Sequence, residues 1–485
     1  MPNDKPETND KPFGLSSLTM LVIASMVGAG VFTTSGYTLG AVGSPAAVML
    51  CWSIGGVIAI CGSVAYGRLA RLMPQSGGEY LYLRRNVHPL AGFLAGWISL
   101  TAGFSGAIAA AAVAFENYAV PDSLPPVPTA QSVPGSLRMF VVKLHEAARQ
   151  LPEDVVAIAV VLLCGAAHGL RGNVGRFVQN VVVVLKITVL AAFLCLACLK
   201  LNTHSWHVLP LVEQPTGLAF VTAVATSVVW ISLSYAGFNA AVYVAAESAE
   251  ASRVVPKALV VGTVLVTFIY LFLNAVFVTS APPEELIWQE DVAAVSARSL
   301  GGARLEFLVR GAVVLGLLSS VSGMILSGPR VYARMADDGV FPRFFAARDG
   351  GIQKSVALQT LLAIVLILVQ RLLVEFGILS TSFLGLLIYL GTTLSISSAL
   401  CVATLFFPSV RAQDPGRPVW VSLLSAVYVV ATLLAVVLLV VNHEQDKEWR
   451  GLWHISGAVL TFATGLVAWR IFGKPADIAS KPSNV

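Results

Sequence analysis

Two short clusters interrupt otherwise apolar stretches of this chain: Gly28-Ala29-Gly30 and Ser234-Tyr235-Ala236-Gly237. Glycine inside a helix costs about 1 kcal/mol relative to alanine, so each cluster is a place where a helix can stop and restart. A restart exposes main-chain N–H groups, and a stop exposes carbonyls. In the first stretch, a helix restarting near Gly30 would offer free N–H groups and a positive dipole end, which suit a carboxylate. The half before it ends near Met26 and Val27 with unpaired carbonyls, and the other stretch exposes carbonyls near Leu233 and Ser234. Carbonyls suit an ammonium group. Donors on one side and acceptors on the other complement a zwitterionic α-amino acid, with no charged side chain required. The competing explanation is that the glycines only let helices pack closely.

The elements that would hold these clusters are membrane helices. The chain has 485 residues, of which 56% are apolar and 12% charged, and its mean hydropathy is +0.79. Soluble domains carry about 25% charged residues. The composition therefore excludes an ordinary cytosolic enzyme, a disordered chain and a secreted disulfide scaffold. Twelve apolar stretches stand out, near 15–41, 45–72, 90–118, 153–170, 176–200, 218–247, 258–281, 306–333, 355–374, 377–407, 418–442 and 453–472. They are continuous and too long for barrel strands of about ten residues. The glycine clusters fall in the first and sixth stretches. Five spans separate them, an odd number, so a second structural unit would enter the membrane inverted relative to the first. Paired interrupted segments in two such halves point to a transporter binding site.

Charge sets the expected orientation. With a cytoplasmic N-terminus, 20 of the 31 Lys and Arg residues fall on the inside, 10 outside and one, Lys186, within a span. This bias favours cytoplasmic termini. The polar segment 1–14 has no signal-peptide core and reads as a disordered tail, as does 473–485. The outside segment 119–152 is proline-rich and then amphipathic, as a surface-lying connector would be. All six cysteines lie in apolar runs and read as packing residues, the Cys195-x-x-Cys198 pair included. No His/Cys/Asp/Glu cluster with metal spacing and no phosphate loop is present, so neither enzyme, metal nor cofactor is expected. The basic residues flank spans rather than form a nucleic-acid patch.

Four motifs carry a resemblance. They are Gly28-Ala29-Gly30-Val31-Phe32; Pro74-Gln75-Ser76-Gly77-Gly78-Glu79-Tyr80 followed by Gly92-Phe93-Leu94-Ala95-Gly96-Trp97; Ser234-Tyr235-Ala236-Gly237-Phe238-Asn239 with Glu247 and Pro256; and the run from Arg330 to Pro342. In order and span number, they resemble the amino acid–polyamine–organocation superfamily of permeases. The resemblance implies an all-α membrane protein with a leucine-transporter-type core of 5+5 inverted repeats over 15–407. Helices 1 and 6 would be broken, and two extra helices would occupy 408–472. It implies a secondary transporter of the plasma membrane working by alternating access. Departures are Glu250-Ala251-Ser252 where an Asn-Pro pair is usual, a single acid, Glu247, where a pair is usual, and Ala236 in place of a glycine.

Together, resemblance and dipole argument assign the N–H groups of Gly28, Ala29 and Gly30 to a carboxylate. They assign the carbonyls of Met26, Leu233 and Ala236 to an ammonium, with Ser234 beside them. Leu233 matches a gating position. Asn239 either reads the substrate or braces the break. Lys186 lies ten residues beyond Arg176, about 15 Å along a helix and near the middle of a core about 30 Å thick. An unpaired cation there costs at least about 2.5–3.5 kcal/mol, so it should face the bundle interior. The family carries a lysine on the fifth span in place of a sodium ion. Lys186 is thus expected to reach the first span and the Ser319, Ser320 and Ser322 region, either coupling protons or serving as a fixed tether. Glu247 and Arg330 are either an inner-gate ion pair or two solvated end charges. Without a mid-membrane carboxylate, neutral amino acids are favoured over cationic ones or polyamines. A nutrient sensor is the non-transport alternative. The expected partners are an amino acid, the lipid bilayer and protons. Segment 119–152 has no cysteine, so no disulfide-linked heavy subunit is expected.

Overall fold

The computed structural model describes residues 14–75, 77–120, 150–170, 188–209, 214–248, 250–346, 350–379, 381–443 and 450–473. Both expected tails, most of segment 119–152, Ser76, Lys186 and the side chain of Glu247 lie outside the described residues. Those described are helical, without strands among them.

The first stretch forms two helices, α1 (Leu15–Met26) and α2 (Gly30–Val42), bent by 44° across the break. Helix α3 (Pro45–Leu72) starts cleanly because Pro45 occupies its first turn and the Ser44 hydroxyl accepts from the Ala47 N–H at 3.1 Å, an N-cap. A short helix, α4 (Gly78–Asn86), precedes the long α5 (Pro89–Ala119), whose Ser99–Gly106 turns are π-helical. Helices α6 (Val155–Leu170) and α7 (Thr188–Leu199) follow. Next comes α8 (Gly217–Tyr235), then a turn, and then a 3-10 helix, Ala240–Glu247. The second half contains α9 (Ala251–Thr279), α10 (Val292–Ser327), α11 (Pro329–Asp337), α12 (Gly351–Glu375), α13 (Ser382–Ala403), α14 (Val419–His443) and α15 (Arg450–Phe472).

Among the described residues, eight helices are long and apolar enough to cross a membrane, or nine if the bent α1–α2 pair is one span. Three shorter apolar helices, Val155–His168, Thr188–Leu199 and Ser456–Phe472, cover the rest of the expected stretches. Helix α10, which covers the eighth expected stretch, begins at Val292, well before the expected 306, and continues across a kink at Gly302, where φ is +68°. The polar run Arg298–Arg304 hid that start from hydropathy.

Helices α1, α3, α8 and α9 pack together as the bundle centre, with α14 and α2 against α8. One continuous apolar core includes Val22, Trp52, Ile231, Tyr270 and Leu317. A second cluster, with Tyr80, Phe93, Tyr332 and Met335, sits at the end of the bundle where α1 begins. We call that end the N-terminal side and the opposite end the far side. Among the cysteines, Cys51, Cys61, Cys164 and Cys401 are buried, while Cys195 and Cys198 are exposed on the outer surface of α7 rather than packed in the core.

Candidate functional site

Both glycine clusters interrupt their helices, and the two breaks face each other. A Cβ built on Gly30 would lie 2.4 Å from Ser234 Oγ and 2.9 Å from Ser234 Cα. Only glycine permits that approach. Gly237 has φ +96°, and a Cβ there would lie 2.8 Å from the Ser25 carbonyl oxygen. Tyr270, on α9, braces the pair: its hydroxyl is 2.6 Å from the Met26 carbonyl and 3.0 Å from that of Ser234. A hydroxyl has one proton and donates to one carbonyl at a time, and the Met26 contact is the shorter. The Tyr118 hydroxyl donates to the Phe32 carbonyl at 2.7 Å and fixes the start of α2 to α5.

The breaks line a cavity of about 630 Å³. Met26, Gly28, Ala29 and Gly30 contribute one wall, and Leu233, Ala236 and Asn239 another. Ser319 and Ser320 of α10, and Gly103 in the π-helical part of α5, stand among its other lining residues. Ala29 and Gly30 belong to the opening of α2, where N–H groups lack intrahelical acceptors. Gly28 differs, because its N–H turns back to the Met26 carbonyl at 2.8 Å. The Leu233 carbonyl accepts from the Ala236 N–H at 3.1 Å. The Leu233 carbonyl retains a second lone pair, whereas that of Met26 accepts from both Gly28 and Tyr270 and regains one only when the Tyr270 hydroxyl turns to Ser234. Ser234 is not in the cavity wall. It is 1% exposed, with its hydroxyl 3.3 Å from that of Thr34.

Sequence reasoning missed the carboxylate of this wall. Glu79, at the start of α4, is buried and accepts from Tyr66 at 2.9 Å, from Asn239 Nδ2 at 2.6 Å and from the Tyr243 hydroxyl. Asn239 therefore ties the 3-10 helix Ala240–Glu247, which follows the second break, to α4. The only advance signal was an acid inside the Gly77-Gly78-Glu79-Tyr80 motif.

The cavity runs to the N-terminal side, where Leu21, Tyr80, Arg330 and Arg334 line it. Arg330 is exposed there. On this side Arg84 of α4 pairs with Asp338 of the Arg330–Pro342 motif, with the Tyr80 hydroxyl donating to the same carboxylate at 2.8 Å. Arg68 and Asp414 form a second pair nearby, and the Arg68 guanidinium holds the Asp414 carboxyl below its usual range. Ser322 bonds His168 at 2.7 Å, linking α10 to α6. The far side is shut by aromatic rings: Tyr37 meets Trp230, Trp288 and Phe383, each with centroids 6.2 Å apart.

Comparison with known proteins accords with this architecture. A family model described as amino acid permease matches residues 13–464. The human Large neutral amino acids transporter small subunit 2 is 25% identical over 346 residues, covering 69% of this chain and 59% of the relative. The human Asc-type amino acid transporter 1 is 24% identical over 349 residues, covering 69% and 61%. The Serine/threonine exchanger SteT of Bacillus subtilis is 23% identical over 369 residues, covering 74% and 77%. The chain thus spans about three fifths of the length of these two human relatives. With that match and membrane-length helices, the chain belongs to the amino acid permease family and is an integral, multi-pass membrane protein.

Proposed function

We propose that this protein is a secondary transporter of neutral L-amino acids in the plasma membrane, working by alternating access as a sodium-independent proton symporter or exchanger. The observation that carries this reading is the facing pair of helix breaks, with N–H groups at the opening of α2 and carbonyls at Met26, Leu233 and Ala236 around one cavity. The substrate carboxylate binds the N–H groups of Ala29 and Gly30, and its ammonium binds the carbonyls of Leu233 and Ala236, and that of Met26 once the Tyr270 hydroxyl turns to Ser234. Gly28, whose N–H turns to Met26, supplies clearance for the carboxylate. Leu233 closes over the substrate, and Ser234 shapes the break from behind.

With both termini cytoplasmic, the cavity faces the cytoplasm and the far side is extracellular. The names of the relatives, which mention neutral amino acids, serine and threonine, support the substrate class. Lys186 takes the place of a sodium ion near Ser319 and Ser320 and couples proton movement. Lys186→Ala that transported fully and kept its full pH dependence would reject that role. For the inner gate, Arg84 with Asp338 is the better-supported pair, and charge reversal at Glu247 and Arg330 tests the alternative.

A second reading, transport of cationic amino acids, draws on Glu79 in the wall. Its oxygens already accept three donors, which favours the neutral class. The deciding experiment is a radiolabelled amino acid panel in liposomes, with pH and sodium gradients imposed separately. Saturable uptake and counterflow of neutral amino acids without sodium are expected. Uptake of cationic amino acids alone would reverse the substrate assignment, and binding without counterflow would make the protein a sensor.

A further inference from the structure

The far-side closure is a built contact. Residues 282–291, between α9 and α10, lie directly on α2. The Trp288 N–H donates to the Gly36 carbonyl at 3.0 Å. A Cβ on Gly36 would fall 2.1 Å from the Gln289 carbonyl oxygen, and one on Gly40 would fall 2.5 Å from the Trp288 ring. The segment is therefore a lid seated in a glycine groove. Trp288 itself adopts φ +61°, a conformation rare for a bulky residue.

Glu290 stands at the tip of this lid, half-buried. Its carboxylate accepts from the Tyr37 hydroxyl of α2 and from the Asn117 side chain of α5. Thr381, the N-cap of α13, adds a hydroxyl 3.0 Å from that of Tyr37. One side chain thus gathers the outer ends of three helices. The other charged groups around it have partners of their own. Asp291 pairs with Arg310, which also pairs with Glu306, itself paired with Arg298. Glu116 accepts from the N–H groups of Asp154 and Ala157, and Asp154 bonds Ser382. Among the described residues, no Lys or Arg is paired with Glu290; Arg138, Lys143 and Arg149 lie outside them.

We propose that Glu290 is a proton-binding latch on the far-side lid: protonated, it holds the lid on α2, and ionised, it favours release. The carboxylate takes its proton from the far-side water as the lid closes and returns it there on opening. Burial, with Asp291 and Asp154 adding repulsion, pushes the Glu290 carboxyl above its ordinary range in the closed arrangement, although the hydroxyls of Tyr37 and Thr381 oppose this. An opened lid restores hydration and the ordinary value. The closed state therefore binds the proton more tightly, so acid favours closure and rising pH favours opening. The lid's service to transport rests on the alternating-access reading, but the latch is tested without substrate.

The test is an electron paramagnetic resonance distance between spin labels at Glu284→Cys and Phe376→Cys, both exposed positions. It uses the full chain in lipid nanodiscs, with Cys195 and Cys198 replaced by serine. Expected is a closed-lid population that grows severalfold from neutral to mildly acid pH, and a Glu290→Gln chain that stays mostly closed at both. A Gln variant responding to pH as the parent does would overturn the proposal. If that variant fails to fold, Tyr37→Phe substitutes: loss of its donor to the carboxylate must shift the pH response upward, and an unchanged response overturns the latch equally. Absent amino acid uptake with an intact lid response would reject the transport reading alone.

Discussion

The two ends of the bundle differ in what closes them. On the N-terminal side a cavity of about 630 Å³ reaches past Tyr80, Arg330 and Arg334, and the ties there are charged: Arg84 with Asp338, and Arg68 with Asp414. On the far side the rings of Tyr37, Trp230, Trp288 and Phe383 meet under a lid seated in a glycine groove. Around the cavity mouth the ties are a few ion pairs that water can compete for, with an apolar cluster behind them. The far side is closed by packed rings, with the Asp291–Arg310–Glu306 pairs set beside the lid. Packed interfaces switch between discrete arrangements rather than deforming continuously. The contrast teaches that the far side opens in one step, the lid leaving α2 as a unit. The breaks lie between the two ends, and Tyr270 binds them into one centre.

Substitutions can break this contrast, with effects that decrease from the centre outward. Gly30→Val should reduce uptake to background, because its side chain would collide with Ser234; liposome uptake, with gel filtration as the folding control, checks this. Tyr270→Phe removes one donor to the Met26 carbonyl. The Gly28 N–H still donates to that carbonyl, so the loss is one hydrogen bond of two, about 0.5–1.5 kcal/mol, and uptake should fall severalfold. On the far side, Gly36→Ala should unseat the lid and raise labelling of Thr38→Cys by an impermeant thiol reagent severalfold, while Asp338→Asn should leave that labelling unchanged.

The smallest effect is expected at Asp414. Its carboxyl is held below the usual range by Arg68, so the pair stabilises the fold above the ordinary carboxylate pKa. That stabilisation is lost as pH falls through the lowered value. Asp414→Asn should lower the melting temperature by a few degrees at neutral pH and have little effect in acid, as thermal unfolding in detergent would reveal.

The sequence made some of this legible for identifiable reasons. Gly28–Gly30 and Ser234–Gly237 were readable because glycine within an apolar stretch is a local signal, and the helix ends at Met26 and Tyr235 follow from it. Tyr270 was not readable, since its partner Met26 lies 244 residues away and nothing near position 270 marks it. Glu79 and Glu290 fall in the same class: each looks like an ordinary loop acid until distant donors converge on it. Ser234 was expected in the wall because it adjoins the break. A helix turns its side chains through 3.6 residues per turn, so a residue beside an exposed carbonyl can point away, as Ser234 does toward Thr34. The expected partner of Arg330, the Glu247 side chain, lies outside the described residues, and the readable charges at that end pair differently, through Arg84 and Asp338.

The central claim is that main-chain groups at the two breaks grip both charged ends of a free amino acid. Competition against uptake of a radiolabelled neutral L-amino acid in liposomes tests it most directly, comparing that amino acid with its methyl ester and its N-acetyl form. The account predicts that the free form competes fully and that each blocked form loses at least about tenfold in potency, roughly 1.4 kcal/mol. Blocked forms competing as well as the free amino acid would contradict it.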